Sequence, residues 1–241
     1  MLCVVLLVLP ACHQAEKIRE QALADSQAVM FESIDGVLLA GRLFGPDTAT
    51  AGVVLAHMQP ADQSSWFDFA DQLGALGYRT LTFDFRGYCP GGDAGCSEGE
   101  KDTTAIWQDV AGAVGFLRTQ GIRRIGLVGA SMGGTASLVF ASQGGSAIDA
   151  VVTLSAPDAI DGLTAGPDVL QAIDGAKLFI AGNVDGNAAA TAQTFYDESV
   201  QPKRVEILPT ADHGTDLLEG NQGENVRTLI TNWIQQHVPV T

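Results

Sequence analysis

Apolar and polar positions along this chain alternate between two periods. Runs of nearly continuous apolar residues recur at "GVVLAH" (52–57), "YRTLTFDF" (78–85), "RIGLVG" (124–129), "DAVVTLS" (149–155), "AKLFIAG" (176–182) and "RVEILP" (204–209). Between them, apolar residues return at the spacing of one helix face: Trp66, Phe69, Ala70, Leu73 and Leu76, then Ile106, Val110, Ala113, Val114 and Leu117, and finally Val226, Leu229, Ile230, Trp233 and Ile234. Further helices are predicted after Ser131 and around 188–198. Strands that are apolar throughout have both faces covered. Alternating with helices, they predict βαβ units in an α/β fold with a mostly parallel central sheet of about eight strands. Ahead of them, "VMFESIDGVLLAGRLF" holds two extended runs joined by Asp35-Gly36, the signal of an antiparallel hairpin.

The N-terminus departs from this pattern. "MLCVVLLVLPAC" (1–12) is uncharged and apolar, and shorter than the roughly 20 residues of a spanning helix. It reads as the apolar part of an export signal. Its end, Leu9-Pro10-Ala11-Cys12, resembles a bacterial lipobox, although no basic residue follows Met1 and Pro10 is unusual there. Residues 13–28 are polar and alanine-rich and predict a tether, and 29–241 predicts one domain. The protein is therefore expected to be exported, either held at the membrane through a lipid on Cys12 or released to the periplasm or exterior after a plain signal peptide.

Composition narrows the function. The 241 residues, 46% of them apolar, can bury a substantial core. The net charge of −15 and the lack of any basic run longer than a pair such as Arg123–Arg124 argue against nucleic acid, whose binding needs a basic face. Cys89 and Cys96 bracket "PGGDAG", where Pro and Gly permit the tight reversal of a disulfide in an oxidising compartment. Two cysteines without a neighbouring His or further Cys make a poor zinc site, so no metal is expected.

In a parallel sheet, functional side chains gather where strands end and loops enter helices. His57, Ser131, Asp158, Asp185 and His213 all stand just past predicted strands. Ser131 lies in Gly129-Ala130-Ser131-Met132-Gly133, a G-x-S-x-G nucleophile elbow between a strand and a helix. A serine hydroxyl needs a base to take its proton, and the base needs a partner to orient it. His213 in "PTADHGTDLL" is the candidate base and Asp185 in "AGNVDGNA" the candidate orienter, in the chain order Ser…Asp…His. Asp158 competes for the acid role, Asp212 is expected to point elsewhere, and His237 reads as a packing residue on the last helix.

From about residue 30 onward the sequence resembles the serine hydrolases of the α/β-hydrolase superfamily, of a lidless esterase or dienelactone-hydrolase-like type. The resemblance is carried by "VVLAHMQPADQSSWFDFADQLGALGYRTLTFDFRGY", "IGLVGASMGG", "LFIAGNVDG" and "DHGTDLL". It implies the α/β-hydrolase fold, a catalytic triad of Ser131, Asp185 and His213, an acyl-enzyme on Ser131, and no cofactor. It further implies an oxyanion hole built from the backbone N–H groups of Gln59 and Met132. Met58 replaces the usual glycine after His57, which makes Met58 a rival donor, and His57, Asp84 and Arg86 are expected to be structural. The short Ser155–Gly175 segment implies an open site without a lid. Carboxylic esters are the expected substrates. Peptides, amides and thioesters are the alternatives for the same triad, and a non-catalytic binding protein on this scaffold is the alternative from another class. A cysteine-nucleophile enzyme is disfavoured because the elbow holds Ser131.

Overall fold

The computed structural model describes residues 23–144 and 148–241. The leader 1–12, with Cys12, and most of the expected tether lie outside the described residues. The strands are β1 (Gln27–Glu32), β2 (Leu38–Phe44), β3 (Ala51–Ala56), β4 (Arg79–Phe83), β5 (Arg124–Ala130), β6 (Ala150–Leu154), β7 (Ala159–Ile160), β8 (Leu163–Thr164), β9 (Ala176–Gly182) and β10 (Lys203–Leu208). The helices are α1 (Phe67–Ala75), α2 (Ile106–Thr119), α3 (Met132–Ala141), α4 (Pro167–Gln171), α5 (Ala188–Glu198) and α6 (Gly223–His237). Eight strands form one sheet in the order β1-β2-β4-β3-β5-β6-β9-β10. The expected hairpin pairs Glu32 with Leu38, and β2 also runs antiparallel to β4. All other pairings in the sheet are parallel.

Strand parity divides the core into two layers. Val53 and Leu55 of β3 and Val128 of β5 face one side, packed with Trp66, Leu73 of α1, and Ile230 and Ile234 of α6. Val54 of β3 and Ile125 and Leu127 of β5 face the other, against Val110 and Val114 of α2, Leu138 of α3 and Phe195 of α5. A continuously apolar strand thus serves both layers, as its sequence requires. The β7–β8 hairpin and α4 are not foreseen by periodicity, because elements this short span too few residues to show a period. Leu163, Ala165 and Leu170 from this segment are buried in the same core layer as α3, so the segment belongs to the body of the fold.

One buried cation fastens the leading hairpin to the parallel unit. The Arg86 guanidinium donates to Asp109 Oδ1 of α2 at 2.6 Å and to both oxygens of Asp35 at 2.8 Å. Hydrogen bonding from Arg86 holds the Asp35 carboxyl down at about 2. Arg86 is structural, as expected. Nearby, Cys89 and Cys96 form the expected disulfide and close the "PGGDAG" loop.

Candidate active site

The elbow is set by backbone geometry. Ser131 sits between β5 and α3 with φ 46° and ψ −117°, a conformation costing a non-glycine residue on the order of 1–3 kcal/mol. Its N–H donates to the Leu154 carbonyl of β6 at 2.8 Å, and its own carbonyl accepts the Gly134 N–H at 2.9 Å. The flanking glycines permit this close turn. A Cβ at Gly129 would lie 2.3 Å from the Gly133 oxygen, and a Cβ at Gly133 would lie 2.4 Å from the Ala56 oxygen at the end of β3.

His213 follows β10, and Asp185 follows β9. His213 Nδ1 donates to Asp185 Oδ2 at 2.8 Å and to Oδ1 at 3.0 Å. With Nδ1 engaged there, Nε2 is the ring nitrogen left to act as an acceptor. The Asp185 side chain is mostly buried, whereas that of His213 is 42% exposed, so the imidazole stands open to solvent. Ser131, Asp185 and His213 line one cleft of about 550 Å³, walled by Ser155, Pro157 and Asp158 after β6 and by Ala188 and Thr191 of α5. Asp158 shares the cleft, but both carboxylate contacts to His213 come from Asp185. Asp212 turns away, accepting from Thr210 Oγ1 at 2.7 Å. His237 packs against Trp233 with ring centroids 4.4 Å apart and the rings tilted by 52°, a packing role.

The turn after β3 is organised by a buried imidazole. His57 Nε2 accepts the Phe85 N–H at 3.1 Å, so its proton resides on Nδ1, which donates to the Met58 carbonyl at 2.8 Å. Burial lowers the His57 pKa to about 4 and keeps the ring neutral. Asp84 Oδ1 lies 3.7 Å from His57 Nε2, but that nitrogen is already an acceptor, so the two do not form an ion pair. Burial pushes the Asp84 carboxyl up to about 7, against two donations from Gln63, its backbone N–H at 2.9 Å and its Nε2 at 3.2 Å. Because a trans peptide is planar, fixing the Met58 carbonyl toward His57 fixes the following N–H, that of Gln59, in the opposite direction. Met58 itself is buried. Gly214, beside His213, has φ 56°, and a Cβ there would lie 2.4 Å from Met58 Sδ. The methionine that stands for the usual glycine therefore packs this turn against the His213 loop. Met132 opens α3, where the first N–H groups of a helix have no intrahelical acceptor.

Ser155 also lines this cleft, and the sequence pattern does not single it out. It stands directly after β6, so the strand-end rule that selects Asp158 points to it equally. Nothing local in "VVTLSAPD" distinguishes it from an ordinary turn serine.

This architecture, a doubly covered and mostly parallel sheet with a serine elbow at the carboxyl end of a central strand, defines a class, and the comparisons agree with it. The family model of the alpha/beta hydrolase fold matches residues 53–213, and the chain belongs to that family. No curated protein matches the chain in sequence. Among solved structures, it is similar to an esterase of Pyrococcus furiosus at 17% identity and TM-score 0.73, covering 90% of this chain and 94% of the other. A dienelactone hydrolase from Anabaena variabilis shares 24% identity at TM-score 0.71, covering 89% and 99%. A malate-bound thermophilic esterase from Thermogutta terrifontis shares 17% identity at TM-score 0.68, covering 88% and 100%. At these identities the likeness is one of fold.

Proposed function

We propose that the protein is a serine hydrolase of carboxylic esters. The observation that carries this reading is His213 held through Nδ1 by Asp185 in the cleft that also contains the strained Ser131. His213 Nε2 takes the Ser131 proton as Oγ attacks the ester carbonyl carbon, giving a tetrahedral oxyanion. Collapse expels the alkoxide, which receives that proton from His213, and leaves Ser131 acylated. Water, deprotonated by His213, then attacks the acyl carbon, and the carboxylic acid leaves as Ser131 regains its proton. Asp185 stabilises the imidazolium formed in each half-reaction. The N–H of Gln59, aimed by the His57–Met58 bond, and that of Met132 at the start of α3 form the oxyanion hole. The esterase and dienelactone hydrolase of similar fold support ester chemistry over the other acyl transfers.

The test is fluorophosphonate labelling with peptide mass mapping of wild type and Ser131→Ala. An adduct on the Ser131 peptide, absent from the variant, is expected. Folded wild-type protein that takes no label would favour a binding protein on this scaffold.

We also propose export, with Cys12 carrying a lipid that holds the domain at a membrane. The Cys89–Cys96 disulfide supports an oxidising compartment.

A further inference from the structure

Ser155 carries two local costs beside the nucleophile. Its φ is 52°, in the region that favours glycine. Its Oγ is buried with no hydrogen-bond partner among the described residues, in a residue only 2% exposed. The backbone explains its location but not its hydroxyl. The Ser155 N–H donates to the Ile180 carbonyl of β9 at 2.8 Å, and the preceding carbonyl, that of Leu154, accepts the Ser131 N–H. Alanine would preserve both contacts and leave no buried oxygen unsatisfied. Ser155 is one of the residues that line the cleft of Ser131 and His213. Among the described residues, the same lining contains two carboxylates, Asp158 and Asp185, and neither Lys nor Arg.

Resting on the acyl-transfer reading above, we propose that Ser155 is a substrate-binding residue: its hydroxyl hydrogen-bonds a polar, non-anionic group carried near the scissile ester, and Asp158 and Asp185 disfavour a negatively charged one. The substrate class is then a hydroxy- or similarly oxygen-substituted ester, in preference to a plain alkyl ester or a half-ester of a dicarboxylic acid.

The experiment compares kcat/KM for the p-nitrophenyl esters of butyrate, 3-hydroxybutyrate and succinate, in wild type, Ser155→Ala, Ser155→Cys and Asp158→Asn. Wild type is expected to rank hydroxybutyrate first and succinate last. Ser155→Ala lowers the hydroxybutyrate-to-butyrate ratio about 5- to 20-fold, the size expected for one lost hydrogen bond. It also raises Tm by about 2–6 °C, because an unsatisfied hydroxyl is gone. Ser155→Cys, which keeps the volume but bonds weakly, shifts the ratio the same way and serves as a second, independent reading of it. Asp158→Asn raises the succinate-to-butyrate ratio about threefold, as for one solvent-screened charge. An unchanged hydroxybutyrate ratio in both Ser155 variants overturns the proposal. So does a fall in Tm on Ser155→Ala, because the hydroxyl would then have a structural partner such as a bound water. A wild type that hydrolyses none of the three esters and takes no fluorophosphonate refutes the acyl-transfer reading instead.

Discussion

Replacing His57 removes two hydrogen bonds at once, the one accepted from the Phe85 N–H and the one given to the Met58 carbonyl. His57→Ala frees the Met58–Gln59 peptide to rotate, and kcat for a p-nitrophenyl ester is expected to fall about 10²-fold with a smaller change in KM, as when an oxyanion donor is lost. Equal loss in KM would show that the turn binds substrate rather than the transition state. The same ring has a pH signature. From its ordinary value of 6.5 down to about 4, the unfolded chain binds a proton that the folded ring refuses. The stability contributed by the neutral ring is therefore present above pH 6.5 and lost as pH falls toward 4. Asp84 acts in the opposite sense. Its folded carboxyl keeps a proton up to about 7 where the ordinary value is 3.8, so its contribution is lost as pH rises between them. In wild type the two slopes oppose. In His57→Gln only that of Asp84 remains, and the Tm deficit of this variant against wild type should widen from pH 4 to 6.5. A pH-independent deficit would mean that the ring is not buried neutral.

At the scale of elements, the hairpin of β1 and β2 joins the parallel unit by pairing with β4 and through Arg86. Asp109 is fully buried, and Asp35 is partly exposed at the hairpin turn. Removing the cation leaves a buried carboxylate without its partner, which typically costs about 3–5 kcal/mol. Arg86→Ala should therefore lower Tm by about 6–20 °C in thermal unfolding of a domain of this size. A shift below that range would mean that Asp109 finds another donor or takes up a proton. The elbow depends on elements in a similar way. The close approach of α3 to the end of β3, which the absence of a Cβ at Gly133 allows, brings Met132 toward the turn of His57 to Gln59.

For the whole molecule, the charge of −15 works against adsorption to anionic lipid, so membrane residence would need a covalent anchor. Protein recovered from the membrane fraction should resist release by high salt, and its N-terminal peptide should carry a lipid mass at Cys12. A soluble mature chain of unmodified mass overturns the anchor. The open cleft, with the His213 side chain 42% exposed and the Ser155–Gly175 segment packed into the body of the fold, fits the expectation of a site without a lid.

The sequence by itself determined the class of fold and the three residues at the centre of the site. Strands buried on both faces must be apolar throughout, helices between them must show a 3.6-residue period, and both patterns are local. Ser131, Asp185 and His213 were legible because a parallel sheet delivers strand ends to one edge and the elbow requires glycine at fixed offsets. Only the tertiary structure decided between Asp185 and Asp158, because both follow strands and the choice is a matter of which carboxylate reaches His213. It also fixed the direction of the Gln59 N–H, which depends on the His57 ring and on Phe85, 28 residues apart in sequence. Ser155 belongs to the same group. A serine's failure to find a hydrogen-bond partner is a property of its surroundings in space, and no pattern along the chain records it.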